Sequence, residues 1–225
     1  MTSTDQKISP GSRFEAVFDT AYLLFDLIAG IILLQNGMTP VLKLYGFLAL
    51  ELGAGDAFHL VPRIRRALHG EEAHTERNLG LGLQVSSITM TIFYLILYAI
   101  WRLQYPDLHP SGILVFLLFA SAAIRILLCL FPQNHWYSYA GNRKWSLYRN
   151  LPFLVTGICV IILFLISGNV YDDSLHGMPI AILISFACYF PVTLEAKKHP
   201  MIGMLMMPKT LAYVAMIVMG LNMLA

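Results

Sequence analysis

The sequence predicts an all-α integral membrane protein with seven transmembrane helices, its N-terminus cytoplasmic and its C-terminus external. Three observations carry that expectation. Of 225 residues, 57% are hydrophobic and only 12% are charged, whereas a soluble domain carries about 25% charged residues. Seven apolar runs follow one another, each near the roughly 20 residues a helix needs to cross a bilayer core. Lys and Arg gather on alternate breaks between the runs, which sets their orientation.

The runs cover about 14–35, 41–62, 80–101, 112–131, 151–170, 177–195 and 202–224. Breakers separate or bound them: Asn36-Gly37 and Pro40, Pro62, Pro106 and Pro110, Pro132, Pro152, and Pro200. Residues 1–13 form a polar N-terminal tail and residues 14–225 a single transmembrane domain, because no break is long enough for a soluble one. The first run lacks a small-x-small cleavage site and is expected to be retained. No internal repeat is evident, which argues against an inverted-repeat transporter. One side collects Lys7, Arg13, Arg63, Arg65, Arg66, Arg77, Arg143, Lys144, Arg149, Lys197 and Lys198, and the other has Lys43 and Arg102. The basic side is expected to be cytoplasmic, and the membrane the plasma (cytoplasmic) membrane.

Composition narrows the partners. The formal net charge is +2, and no basic patch is interleaved with aromatics, so no nucleic-acid partner is expected. Cys129, Cys159 and Cys188 all lie in apolar runs without a C-x-x-C or Cys/His cluster and read as small buried hydrophobes. The expected partners are membrane lipids and a lipid or small-molecule ligand. Cofactor, metal and oligomeric state are left open.

Polar residues inside the runs mark the candidate site, because ionisable groups at that depth face a protein interior or a water-filled cavity. In helix 1, Glu15, Asp19, Tyr22 and Asp26 fall within about 60° of one another, with Asp19 and Asp26 about 10 Å apart along the axis. In helix 2, Glu51, Asp56 and His59 span roughly 140°. Helix 3 carries Gln84, Ser87, Thr91, Tyr94 and Tyr98 at helical spacing. Helix 4 has Ser121 and Arg125, and helix 7 has Lys209 about two turns from its start. Most lie in the cytoplasmic half and imply a polar pocket opening inward.

Each has a plain account beside the functional one. Asp56 can pair with Arg63 or Arg66 at the membrane boundary while His59 contacts headgroups; alternatively His59 is an acid, a base or a metal ligand. Glu51 and Asp26 can pair with Arg125 and tie helices 1, 2 and 4 together. Alternatively they are proton-carrying or catalytic carboxylates, or share a cation site with Asp19. The helix-3 stripe reads first as packing; Ser87 as a nucleophile needs a base, and His59 is the candidate. Lys209 reads first as snorkelling to the boundary, and otherwise as a buried amine able to form a Schiff base.

Three families bear a resemblance. Seven spans with an internal N-terminus resemble the plan of the progestin/adiponectin-receptor and alkaline-ceramidase hydrolases. Those zinc enzymes carry His-x-x-x-His on the last helix, where this chain has no histidine, so that metal site is not implied here. Gly55-Asp56-Ala57 is similar to the Gly-Asp motif of lysoplasmalogenases, though their Ser-Asp motif has no counterpart. Lys209-Thr-Leu-Ala-Tyr213 resembles the retinal-lysine segment of heliorhodopsins, and Ser86-Ser-Ile-Thr-Met90 their third helix. That likeness implies a chromophore on Lys209. The region around Gly82 lacks the family's counterion, so Asp26, Glu51 or Asp56 would have to serve. None of the three is adopted as the chain's family.

The leading expectation is a cytoplasm-facing pocket acting on a lipid or amphiphilic small molecule. Glu51, Asp56, His59 and Asp26 would do acid–base or metal work, and Asp19, Tyr22, Gln84, Ser87, Arg125 and Lys209 would line the ligand. A proton- or cation-coupled transporter and a chromophore protein built on Lys209 are the alternatives.

Overall fold

The computed structural model describes residues 10–70, 74–138, 141–195 and 199–224. Most of the polar tail, with Lys7, and the basic pair Lys197 and Lys198 lie outside those residues. Among the described residues there are seven α-helices and no strand. They are α1 (Pro10–Asn36), α2 (Pro40–His69), α3 (Thr75–Gln104), α4 (Gly112–Leu130), α5 (Arg143–Gly168), α6 (Met178–Glu195) and α7 (Met206–Asn222). Short 3-10 turns at Pro132–Asn134 and Pro200–Leu205 precede α5 and α7.

The local chemistry explains the boundaries. Thr39 caps α2, its hydroxyl accepting from the Leu42 amide, with Pro40 as the first helical residue. Ser111 and Asn142 cap α4 and α5 in the same way. The α2–α3 break is a Gly70 turn at φ 86°, a conformation that glycine adopts without a Cβ clash.

By length and composition, α1, α3, α4, α5 and the continuous stretch Met201–Asn222, which joins the second 3-10 turn to α7, each suffice to cross a membrane. The remaining two are different cases. Helix α6 is apolar but only 18 residues long. Helix α2 is the charged one, with Lys43, Glu51, Asp56, Arg63, Arg65 and Arg66 in one 30-residue helix. At 1.5 Å per residue it is about 45 Å long, so its last turns extend beyond a hydrocarbon core about 30 Å thick. Large apolar side chains such as Phe14, Phe47, Phe116, Leu127 and Ile180 are exposed on the bundle's outside, as a lipid-facing belt requires. The chain is a multi-pass membrane protein.

Contacts give the arrangement. Tyr22 meets Asp56 and Asp26 lies against Gly53, so α1 and α2 run antiparallel. Ser86 meets Asp56, Gln84 meets Cys129 and Ser121 meets Thr156, continuing the alternation through α5. Gly220 of α7 packs on the ring of Tyr45 and closes the bundle against α2. Helix α3 is central: Tyr94 bonds Ser185 of α6, and Phe93 stacks edge-on with Tyr213 of α7. The alternation collects Arg63, Arg65, Arg66, Arg77 and Arg149 at one end, called here the Arg-rich end.

One α2–α3 contact fixes the site's geometry. Pro62 has no N–H, so the Phe58 carbonyl four residues earlier has no helical partner. The backbone of α3 comes against that carbonyl at Gly82, where an added Cβ would sit 2.2 Å from Phe58 O and 2.7 Å from the His59 Cα. Backbone cannot give way as a side chain can. Gly82→Leu is expected to destabilise by about 1–3 kcal/mol, read as a lowered melting midpoint; an unchanged midpoint would mean the helices do not touch there.

Candidate functional site

Asp19, Tyr22 and Asp26 sit at i, i+3 and i+7 on α1 and are all buried, so one stripe carries them into the bundle. Helix α2 answers each one. Arg63 hydrogen-bonds Glu15 and lies 3.6 Å from Asp19 Oδ2, near enough for charge attraction but too far for a hydrogen bond. Asp56 meets Tyr22, and Gly53 leaves room for Asp26, whose Cβ would stand 2.9 Å from a Cβ at position 53.

Asp56 is the hub. Its Oδ2 accepts from the Tyr22 hydroxyl at 3.0 Å and its Oδ1 from the Ser86 hydroxyl at 2.7 Å. Its charge also reaches Asp19, Asp26, Glu51, His59 and Tyr213. The expected Asp56–Arg63 pair does not form, because Arg63 is one turn nearer the end of α2 and is held by Glu15 and Asp19. Removing either hydroxyl donor (Tyr22→Phe or Ser86→Ala) is expected to cost about 1.5–3 kcal/mol, the usual range for a hydrogen bond to a charged group. The double variant should lose less than the sum if both act on one carboxylate. Melting midpoints of the three variants check this.

Among the described residues the deep carboxylates have no hydrogen-bond partner. Asp26 is 0% exposed; the Tyr22 hydroxyl lies beside it but points its proton at Asp56, and among the described residues neither Asp26 oxygen meets hydrogen-bond geometry. Both oxygens of Glu51 are likewise buried and unbonded. These two do not share a site on one face. Residues 51 and 53 are about 200° apart around α2, and Gly53 is the one facing Asp26, so Glu51 points away from α1.

Arg125 also departs from expectation. It is 1% exposed, its Nε donates to the Ser87 carbonyl at 3.2 Å, and its guanidinium lies over the Phe153 ring at 3.4 Å. It has no ion pair with Asp26 or Glu51. Helix α3 stands between: α4 packs on α3 and α5, whereas Asp26 faces α2.

Lys209 does not snorkel. It sits in the first α-helical turn of α7, not two turns in, is 8% exposed, and its amine lies 5.3 Å from the Tyr189 ring and 5.1 Å from that of Tyr213. Its charge reaches His59, whose Nδ1 is buried and unbonded. Ser87 bonds its own helix, donating to Leu83 O at 2.6 Å, so the Ser87–His59 pair is absent. Gln84 donates to Cys129 O at 3.2 Å and ties α3 to α4. Among the described residues no three His, Cys, Asp or Glu side chains gather as metal ligands would. Cys188 is half-buried, less enclosed than Cys129 and Cys159.

Two surface clefts among the described residues lie apart from the cluster. One, about 70 Å³, lies at the Arg-rich end beside Val61, Pro62, Arg65, Arg66, Thr75 and Asn78. The other is an open apolar groove beside Leu34, Lys43, Phe47 and Leu103.

Ser86, the residue next to the candidate nucleophile, is the hydroxyl that meets Asp56, and sequence reasoning passed over it. Its signal was the small-residue spacing Gly82, Ser86, Thr89, which marks the α3 face that approaches α2. Arg149 was counted among the basic residues of the cytoplasmic side, yet its guanidinium lies 4.4 Å from the Trp136 ring with Nε buried.

Compared with protein-family models, curated proteins and solved structures, the chain matches none.

Proposed function

We propose that the α1–α2 acidic ladder is a proton- or cation-binding site, entered from the Arg-rich end, of a proton- or cation-coupled membrane protein. The observation that carries this reading is the descent Asp19, Asp56, Asp26, which ends at a buried carboxylate with no hydrogen bond. A carboxylate in a low-dielectric interior is costly without a compensating charge; a proton or small cation supplies one without requiring a wide cavity. In this role Asp19 and Arg63 form the mouth, Asp56 with Tyr22 and Ser86 the relay, and Asp26 the terminus. Beyond Asp26 the interior is largely apolar, with Leu33, Leu48, Leu97 and Ile217 each 0% exposed, and its polar groups are the unbonded Tyr45 hydroxyl and the Trp101–Ser167 and Tyr105–Asp173 hydrogen bonds nearer the far end. The ladder therefore ends there in this conformation, and coupling to movement across the bilayer requires that half to open.

Proteoliposomes holding a pH-sensitive dye test the coupling. A pH or sodium gradient is expected to relax faster with the protein than in empty vesicles, and Asp26→Asn to return the rate to the empty-vesicle value. Equal rates for the protein and for empty vesicles would overturn the reading.

Action on a lipid or amphiphile keeps one observation in its favour: the amphipathic cleft beside Arg65 and Arg66 suits an anionic headgroup. It has less support as chemistry at the ladder, because Ser87 lacks a base and the cleft does not border Asp56 or His59. A Schiff base at Lys209 is supported by the burial of its amine between two tyrosines; a visible band with added retinal, lost in Lys209→Ala, would bear it out.

A further inference from the structure

The geometry points to a second site, on the other side of α3, that binds an oxyanion, phosphate in class, between the guanidinium groups of Arg125 and Arg149. It stands apart from the acidic ladder and does not rest on the function proposed for it.

The sequence places Arg125 in the last two turns of the apolar helix α4 and Arg149 in the second turn of α5, so both lie toward the Arg-rich end of the α3–α4–α5 bundle. Each is stacked on an aromatic face, Arg125 on Phe153 at 3.4 Å and Arg149 on Trp136 at 4.4 Å. Stacking fixes the plane of a guanidinium and leaves its edge donors free. Each keeps one buried donor with no partner: Nη1 of Arg125 and Nε of Arg149. Arg125 lies over Phe153, which stands one turn from Arg149 on the same face of α5, so the two guanidinium groups share one neighbourhood. Among the described residues neither has a carboxylate within ion-pair distance, since the ion pairs formed there belong to Arg63.

The plainest structural role for these arginines is already filled by others. The last carbonyls of α4 are natural acceptors for a cation. Asn134 takes those of Leu128 and Phe131, and Trp136 and Gln84 take that of Cys129. Arg149 itself donates only its Nη1 to Asn134, at 2.8 Å. Among the described residues the spare donors therefore have no protein acceptor to serve. Arg125 is 1% exposed and Arg149 half-buried, and two like charges held so close to the interior with no counter-charge are unfavourable; an anion that displaces the packing over the two sealed donors resolves both that repulsion and the unmet hydrogen bonds. Guanidinium forks match the paired oxygens of phosphate. That chemistry is common to free phosphate and to a phospholipid headgroup reaching in from the membrane surface.

The test uses the full chain in a maltoside detergent, which carries no phosphate. One arm measures binding of radiolabelled inorganic phosphate by equilibrium dialysis against chloride of matched ionic strength. The other adds phosphatidic acid to the micelles and follows the melting midpoint, with phosphatidylcholine as the control lipid. Saturable binding in the first arm supports a free-anion site. A raised midpoint in the second arm alone supports a headgroup site. Arg149→Gln is expected to weaken the response by about ten- to a hundredfold, the loss of one charge-assisted hydrogen bond. Arg125→Lys should fall between that variant and the wild type, since it keeps the charge and loses the fork. Arg125→Gln could fail to fold, but Arg149 is only half-buried and its variant keeps the test usable. Asp26→Asn should leave phosphate binding unchanged, so the two readings fail separately. No response above the controls in either arm, or an Arg149→Gln variant that binds as tightly as the wild type, would overturn the proposal.

Discussion

Asp26→Leu is expected to make the protein more stable and to abolish its proton or cation response. Asp and Leu have the same branched arrangement of side-chain heavy atoms, so leucine can occupy the space against Gly53 with little rearrangement. What changes is polarity. The carboxylate is fully buried and makes no hydrogen bond, so its removal breaks nothing and ends a desolvation penalty. Replacing buried ionic groups by hydrophobic ones of similar volume stabilises by about 1–4 kcal/mol where it stabilises at all. Retaining a destabilising residue at a site that does chemistry is a familiar trade-off. A melting midpoint raised relative to wild type, alongside lost coupling in vesicles, is the expected pair of results. A strongly lowered midpoint would mean that Asp26 holds the helices together.

Arg63→Met is expected to move stability the other way. Arg63 faces two acids of unequal standing. Glu15 has a side chain 37% exposed, and water screens its share of the interaction. Asp19 has a side chain only 7% exposed and, with Arg63 gone, must either strand a buried charge beside Asp56 or take up a proton to hold its place. Breaking a buried pair by removing one partner costs about 3–5 kcal/mol; with Arg63 and Glu15 both reached by water, the lower end, about 3 kcal/mol, is expected. Adding Asp19→Asn to Arg63→Met should recover most of the loss, because it removes the stranded charge. If the second substitution restores nothing, Arg63 acts through Glu15 or through packing of its aliphatic stem.

The chain of residues shows which parts of this were legible before the fold was known. The seven helices were, because span length and hydropathy are local properties. So was the stripe Asp19, Tyr22, Asp26, since helical periodicity alone puts those positions on one face. The opposite directions of Glu51 and Asp26 follow from the same periodicity only once it is known that Gly53 faces α1, and that is a tertiary fact. Partner choice was the part that could not be read. Asp56 lies closer in sequence to Arg63 than to Tyr22 or Ser86, yet the bundle delivers the two hydroxyls and turns Arg63 toward α1. Arg125 was matched with the deep acids because opposite charges at similar depth suggest a pair. The insertion of α3 between α4 and α1 separates them, and helix order around a bundle is not written in any one helix.

Infrared difference spectroscopy of the carboxyl C=O stretch, recorded on the bilayer-reconstituted protein between acidic and alkaline pH, tests the ladder most directly. The wild type is expected to show a carboxyl band that appears and disappears with pH, is displaced by sodium if the site takes a cation, and is missing in Asp26→Asn. A difference spectrum with no carboxyl band, or one identical in wild type and Asp26→Asn, would contradict the assignment of Asp26 as the terminus of a proton- or cation-binding ladder.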